Sequence, residues 1–100
     1  MFIVLLKFST GRGRAREFMA EHNAWIGRGF DDGVFLLTGS LGAQAGGVIV
    51  AHDTSLAALQ ARVGEDPFVA HDVVRAEVLE VAPSRVDARL QALAPARGGA

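Results

Sequence analysis

The first hydrophobic run, over residues 2–8, is apolar at both alternating sets of positions. One set consists of large apolar side chains: Phe2, Val4, Leu6 and Phe8. Ile3 and Leu5 occupy the other set. Because successive side chains of a strand point to opposite faces, this pattern predicts a central strand that is covered on both sides.

From residue 14 onward the apolar positions recur at helical spacing. One stripe, about 100° wide, carries mostly apolar side chains and one histidine: Ala15, Phe18, His22, Trp25, Ile26 and Gly29. Charged residues such as Glu17 and Glu21 fall outside the stripe. We predict a helix over residues 14–28 that ends at Gly27 or Gly29, followed by a turn.

The middle of the chain alternates between strand-like and helix-like patterns. Strands are predicted near residues 34–41, 46–52 and 73–81, and a short glycine-rich connection joins the first two as a hairpin. A second helix is predicted over residues 55–63, and the Asp, Thr and Ser side chains at positions 53–55 are candidates for its N-cap.

The C-terminal end carries the signals of one more helix. Ser84 and Asp87 resemble a capping box, which predicts a helix over residues 85–93. The proline and glycines beyond it favour a mobile tail. We therefore expect a single domain over residues 1–93 and a flexible tail over residues 94–100.

The element order β-α-β-β-α-β predicts an α+β protein with the ferredoxin-like split-βαβ fold, which has helices on one face of a four-stranded sheet. The other face would remain uncovered although its strands are apolar. Half of the 100 residues are hydrophobic, which is a high fraction for so small a domain. We therefore predict a homodimer in which two sheets pack together as a dimeric α+β barrel.

Composition excludes several classes of function. The net charge of −1 argues against nucleic-acid binding. Without cysteine there is no disulfide, thiolate metal site or cysteine nucleophile. The three histidines lack helical metal-ligand spacing, so no metal is expected. The N-terminal run is too short to span a membrane and no targeting segment is visible, so we predict a cytoplasmic protein.

Two stretches carry candidate chemistry, and both have a structural alternative. His22 lies within an apolar stripe, where it is either a core histidine bonded to a carbonyl or a site residue. Asp66 precedes Pro67 and suits a helix N-cap. One of its oxygens can cap the helix while the other accepts a hydrogen bond from His22.

Three further residues are candidate ligand contacts. Trp25 and Phe68 are either core aromatics or walls of a pocket. Ser40 lacks the G-x-S-x-G context of a nucleophile, but its hydroxyl could bind a ligand.

The chain resembles the YCII-related (YciI-like) proteins of the dimeric α+β-barrel superfamily. The matching pieces lie within residues 2–83: the opening strand, the helix with His22, Gly39-Ser40, Gly46-Gly47 and Asp66-Pro67-Phe68. Many members have proline where this chain has Ser40. The resemblance implies a pocket between helices and sheet with a catalytic His–Asp pair. Some relatives are dehydrochlorinases of chlorinated or hydroxylated ring compounds.

These observations predict a cofactor-independent lyase or isomerase. His22 and Asp66 would move a proton on a small organic molecule, and Phe68, Trp25 and Ser40 would contact the substrate. The alternatives are a non-catalytic dimeric protein that binds a small molecule and a purely structural dimer.

Overall fold

The computed structural model describes residues 1–95. Four strands are present: β1 (Phe2–Phe8), β2 (Phe35–Leu41), β3 (Gly46–Ala51) and β4 (Val74–Glu80). Three α-helices connect them: α1 (Ala15–Asp31), α2 (Leu56–Gly64) and α3 (Pro67–Ala70). Short 3-10 segments lie at Arg12–Arg14, Gly42–Gln44 and Ala88–Leu93.

The four strands form one antiparallel sheet in the order β2-β3-β1-β4. Strand β1 is central, as its two apolar faces predicted, and Val4 pairs with Ile49 on one side and Val78 on the other. This order and the helical connections confirm the predicted ferredoxin-like α+β fold.

The core lies between the helices and one face of the sheet. Its buried members include Phe2, Val4, Ile49, Trp25 and Leu59. Helix α1 approaches the sheet closely at Gly29, where an added Cβ would lie 2.1 Å from the Phe35 ring. Glycine at this position therefore fixes how α1 sits over the start of β2.

The other face of the sheet, which we call the open face, is apolar along its centre. The strand register places these residues on it: Ile3, Leu5, Leu37, Val48, Val50 and Leu79. Leu37 is 52% exposed and Leu79 is 40% exposed. The single chain therefore leaves a contiguous apolar surface in contact with solvent.

Helix α1 is longer than predicted. It continues through Gly27 and Gly29 to Asp31, and Gly29 packs closely against the Phe35 ring. The chain leaves the helix after Asp32, and Gly33 adopts a left-handed φ of 73°.

The predicted helix over residues 85–93 is wrong. The structure has only a kinked 3-10 segment, Ala88–Leu93, and its N-cap is Asp87 rather than Ser84. No buried residue anchors this segment, and a short helix without packing is marginal in water. Residues 96–100 of the predicted tail lie outside the described residues.

No helix within residues 1–95 is long and apolar enough to cross a membrane.

Candidate functional site

Helix α1 buries the His22 side chain against the neighbouring helix α3. The apolar stripe of α1 faces inward, so His22 is only 9% exposed. Its ring stacks face to face on Phe68, with ring centroids 3.9 Å apart and an interplanar angle of 3°. The imidazole is therefore held in a defined orientation by packing.

Asp66 is the N-cap of α3. Its Oδ1 accepts a hydrogen bond from the Phe68 amide at 3.0 Å, and Pro67 takes the first helical position. The extended backbone of Asp66, with φ −62° and ψ 123°, is the conformation that a following proline favours. The local sequence thus fixes this carboxylate.

His22 and Asp66 form a buried hydrogen-bonded pair. His22 Nδ1 lies 2.7 Å from Asp66 Oδ1, and the aspartate side chain is fully buried. Because a carboxylate only accepts hydrogen bonds, Nδ1 is the protonated nitrogen of the neutral ring. Nε2 then carries the lone pair. The pair can therefore accept a proton at Nε2 while the carboxylate holds the ring.

The two bonds of Asp66 share one oxygen, whereas the sequence suggested one bond for each oxygen. Oδ1 accepts from both Phe68 and His22, and Oδ2 is buried without a hydrogen-bond partner among residues 1–95. A buried carboxylate with two donors is incompletely compensated. Its negative charge is therefore available to stabilise a positive charge on the adjacent imidazole.

A cavity of about 310 Å³ lies between α1 and the sheet, next to this pair. His22 and Phe68 line it together with Ser40 on β2. Most of the other lining side chains are apolar: Leu6, Phe8, Met19, Ile26 and Val74. The site therefore combines one imidazole with a largely apolar cavity, as small-molecule sites usually do.

Two polar lining residues, Asn23 and Thr38, were not predicted. Thr38 lies two positions before Ser40 and so shares its face of β2. A strict alternation of faces starting from Phe35 would place Thr38 on the other face. A bulge between Phe35 and Leu37 shifts the alternation. Asn23 follows His22 directly in α1, and its position at the cavity mouth depends on the rotation of the helix.

Trp25 lies away from this cavity. It is 2% exposed, packs edge-on against Phe35 at 5.2 Å, and donates from Nε1 to the Arg62 carbonyl at 3.0 Å. It also borders a polar cleft with Arg28 and Arg62 on the outer side of the helices. The structure thus places Trp25 in the packing between α1 and α2.

Within residues 1–95, no group of three His, Cys, Asp or Glu side chains is arranged to hold a metal ion. His71, the histidine nearest to α3 in sequence, stacks on Phe18 at 4.1 Å and is exposed.

Comparison with solved structures finds a similar fold. The chain resembles the 5-chloro-2-hydroxyhydroquinone dehydrochlorinase from Burkholderia phenoliruptrix AC1100, in complex with 2,5-dihydroxybenzoquinone. The TM-score is 0.65 at 16% sequence identity, over 81% of this chain and 93% of that one. No family model matches the sequence, and a search of curated proteins finds no match. The similarity establishes the fold, and the YCII-related assignment stays a prediction.

Proposed function

We propose that this protein is an enzyme of lyase or isomerase type, in which His22, oriented by Asp66, moves a proton on a small organic acid or ring-derived compound. The observation that carries the proposal is the 2.7 Å bond between His22 Nδ1 and Asp66 Oδ1 on the wall of an apolar cavity. A dehydrochlorinase with the same fold supports the lyase class.

The chemistry follows from the protonation of the ring. Nε2 takes a proton from a C–H or O–H group of the substrate, and the Asp66 carboxylate stabilises the imidazolium that forms. In a dehydrochlorination the electrons of the broken bond move through the substrate and expel chloride. The net loss is HCl, so no oxidant or reductant is required. In an isomerisation Nε2 returns the proton to another atom.

The roles of the surrounding residues are part of the same proposal. Phe68 holds the imidazole by stacking and forms one wall of the cavity. Ser40 contributes a hydroxyl from β2. Trp25 is left out of the substrate contacts because it does not line this cavity. No cofactor is needed for such a proton transfer, and the predicted cytoplasmic location stays a prediction.

Chloride release and solvent exchange test this proposal. The protein is offered 5-chloro-2-hydroxyhydroquinone and related hydroxylated rings and acids in D₂O, under anaerobic conditions. We expect chloride release or incorporation of deuterium, with a loss of about 10²–10⁴-fold in rate for His22→Gln and Asp66→Asn. Rates unchanged in both variants contradict the proposal. Binding without any turnover in the wild type indicates the alternative, a non-catalytic binding protein.

We also propose that a second copy of this chain covers the open face. The six apolar residues of that face lie on adjacent strands, and Lys7 with Glu77 forms an ion pair at 3.8 Å beside them. Face-to-face packing of two such sheets gives a dimeric α+β barrel. Light scattering at micromolar concentration is expected to give twice the chain mass of 10.5 kDa. A monodisperse monomer contradicts the barrel.

A further inference from the structure

We propose that Thr38 and Ser40 on β2 orient the substrate by binding its ring oxygens at the end of the cavity away from Phe68, and that the site selects hydroxylated rings without a carboxylate. This rests on the proposed function of the cavity and names its substrate class.

The order of the strands separates the two ends of the cavity. Phe68, on which the His22 ring stacks, belongs to α3 directly before the edge strand β4. Thr38 and Ser40 belong to β2 at the opposite edge. Neighbouring strands lie about 4.8 Å apart, so β4 and β2, which are three strand spacings apart, are about 14 Å apart. One six-membered ring with a hydrogen bond at each end spans most of this length.

The register shows why both hydroxyls face the cavity. Ser40 pairs with Gly47, and Gly47 pairs with Leu6 on β1. In the next row of this face Thr38 pairs with Ile49. The hydroxyls are therefore neighbours on the face of the sheet that carries the helices, and both residues are exposed in the single chain. Within residues 1–95 neither forms a side-chain hydrogen bond with another protein group, so both are available to a ligand.

Gly47 leaves the floor of the cavity open between Leu6 and Ser40. An added Cβ would lie 3.4 Å from the Gly39 carbonyl oxygen, which is close contact without overlap. The neighbouring Gly46 is different, because its φ is 141° and a Cβ there would lie 1.9 Å from the Leu6 carbonyl oxygen. A side chain at position 47 would thus narrow the floor, whereas one at position 46 would disrupt the strand pair.

The charges around the cavity disfavour a carboxylate. Among the lining residues His22 is the only titratable one, and no lysine or arginine lines the cavity. Arg12 lies over the Phe8 ring at 4.3 Å, but its guanidinium donates to the Gln44 carbonyl at 3.3 Å. A substrate carboxylate that enters the cavity would lose its hydration without gaining a permanent positive partner, which costs free energy in an apolar site. Burying uncharged hydroxyl and carbonyl oxygens costs less free energy.

Binding of three matched compounds tests the proposal: 1,2,4-trihydroxybenzene, phenol and 2,5-dihydroxybenzoate, measured anaerobically by calorimetry. We expect the wild-type protein to bind the trihydroxy compound at least 10-fold more tightly than the benzoate. Thr38→Val and Ser40→Ala each remove one hydroxyl, and each is expected to weaken the binding of trihydroxybenzene about 5-fold. The two changes together should weaken the binding of phenol less than 3-fold. Gly47→Val should weaken the binding of all three compounds.

Three results overturn the proposal: no binding of trihydroxybenzene to the wild type, equal losses for phenol and trihydroxybenzene in the double variant, or equal affinity for the benzoate. Circular dichroism shows whether each variant folds. Thr38→Val keeps the side-chain volume and Ser40→Ala reduces it, whereas Gly47→Val adds a side chain. His22→Gln separates the two proposals. If it retains turnover while binding depends on Thr38 and Ser40, the proton-transfer proposal fails and the recognition proposal stands.

Discussion

Two histidines of this chain each lie beside an aspartate, but the two pairs differ in geometry. His22 Nδ1 is 2.7 Å from Asp66 Oδ1, with side chains 11% and 0% exposed. His52 Nδ1 is 3.7 Å from Asp53 Oδ2, with side chains 15% and 81% exposed. The second distance is too long for a hydrogen bond. Only the first aspartate fixes its ring.

The difference comes from what holds each carboxylate. Asp66 is 44 residues from His22 in sequence, yet its position is set by the helix it caps and by the proline that follows. Asp53 is adjacent to His52, but it lies in a loop with φ 51° and points largely into solvent. Proximity in sequence therefore does not make a hydrogen-bonded pair, whereas a carboxylate held in place by the backbone does.

The largest expected effect is on the free energy of unfolding, and it differs between substitutions of Asp66 and of Asp53. Asp66→Ala leaves the His22 Nδ1–H and the Phe68 N–H without an acceptor. We expect a loss of about 2–4 kcal/mol in the free energy of unfolding, measured by urea denaturation. Asp53→Asn, which tolerates the left-handed backbone, should change it by less than about 0.5 kcal/mol.

Asp66→Asn is the matched control for this prediction. The amide oxygen can still cap α3 and accept from His22, so part of the stability should return while the negative charge is lost; the amide NH2 that replaces the buried Oδ2 has no acceptor among residues 1–95. Equal destabilisation by the alanine and asparagine variants would mean that the charge, not the hydrogen bonds, holds the site. A small effect of Asp66→Ala would show that neither does.

The next prediction concerns the ring protons and involves no change in stability. In neutral His22 the proton resides on Nδ1, because Asp66 accepts it. His52 Nδ1 is buried without a partner among the described residues, and a buried donor without an acceptor is costly. Its proton should therefore reside on Nε2. Long-range ¹H–¹⁵N spectra at high pH are expected to show opposite tautomers, and identical ones would contradict this assignment.

Local patterns were enough to predict the strands and most of the helices, because alternation and helical periodicity record burial directly. His22 and Asp66 each carry a local signal, a histidine in an apolar stripe and an Asp-Pro cap, but it was the resemblance to the YCII-related proteins that predicted the pair. Thr38 was missed because the bulge in β2 changes which residues share a face. The sequence left Trp25 as either a core aromatic or a pocket wall, and the structure packs it against Phe35 with its Nε1 bonded to the Arg62 carbonyl.

The smallest expected effect concerns Asp87, which caps a segment as Asp66 does but on the surface. Its Oδ1 accepts from the Arg89 amide and from Arg89 Nε, both at 2.9 Å. The side-chain bond to Arg89, followed by the backbone bond, lowers the pKa of Asp87 below its ordinary value of 3.8. Stabilisation by this contact is therefore present at neutral pH and is lost as the pH falls through the lowered pKa. Because the side chain is exposed, the effect on unfolding should be slight. An NMR titration should show the pKa of Asp87 rising toward 3.8 in Arg89→Gln, and an unchanged pKa would mean that Arg89 does not hold the carboxylate.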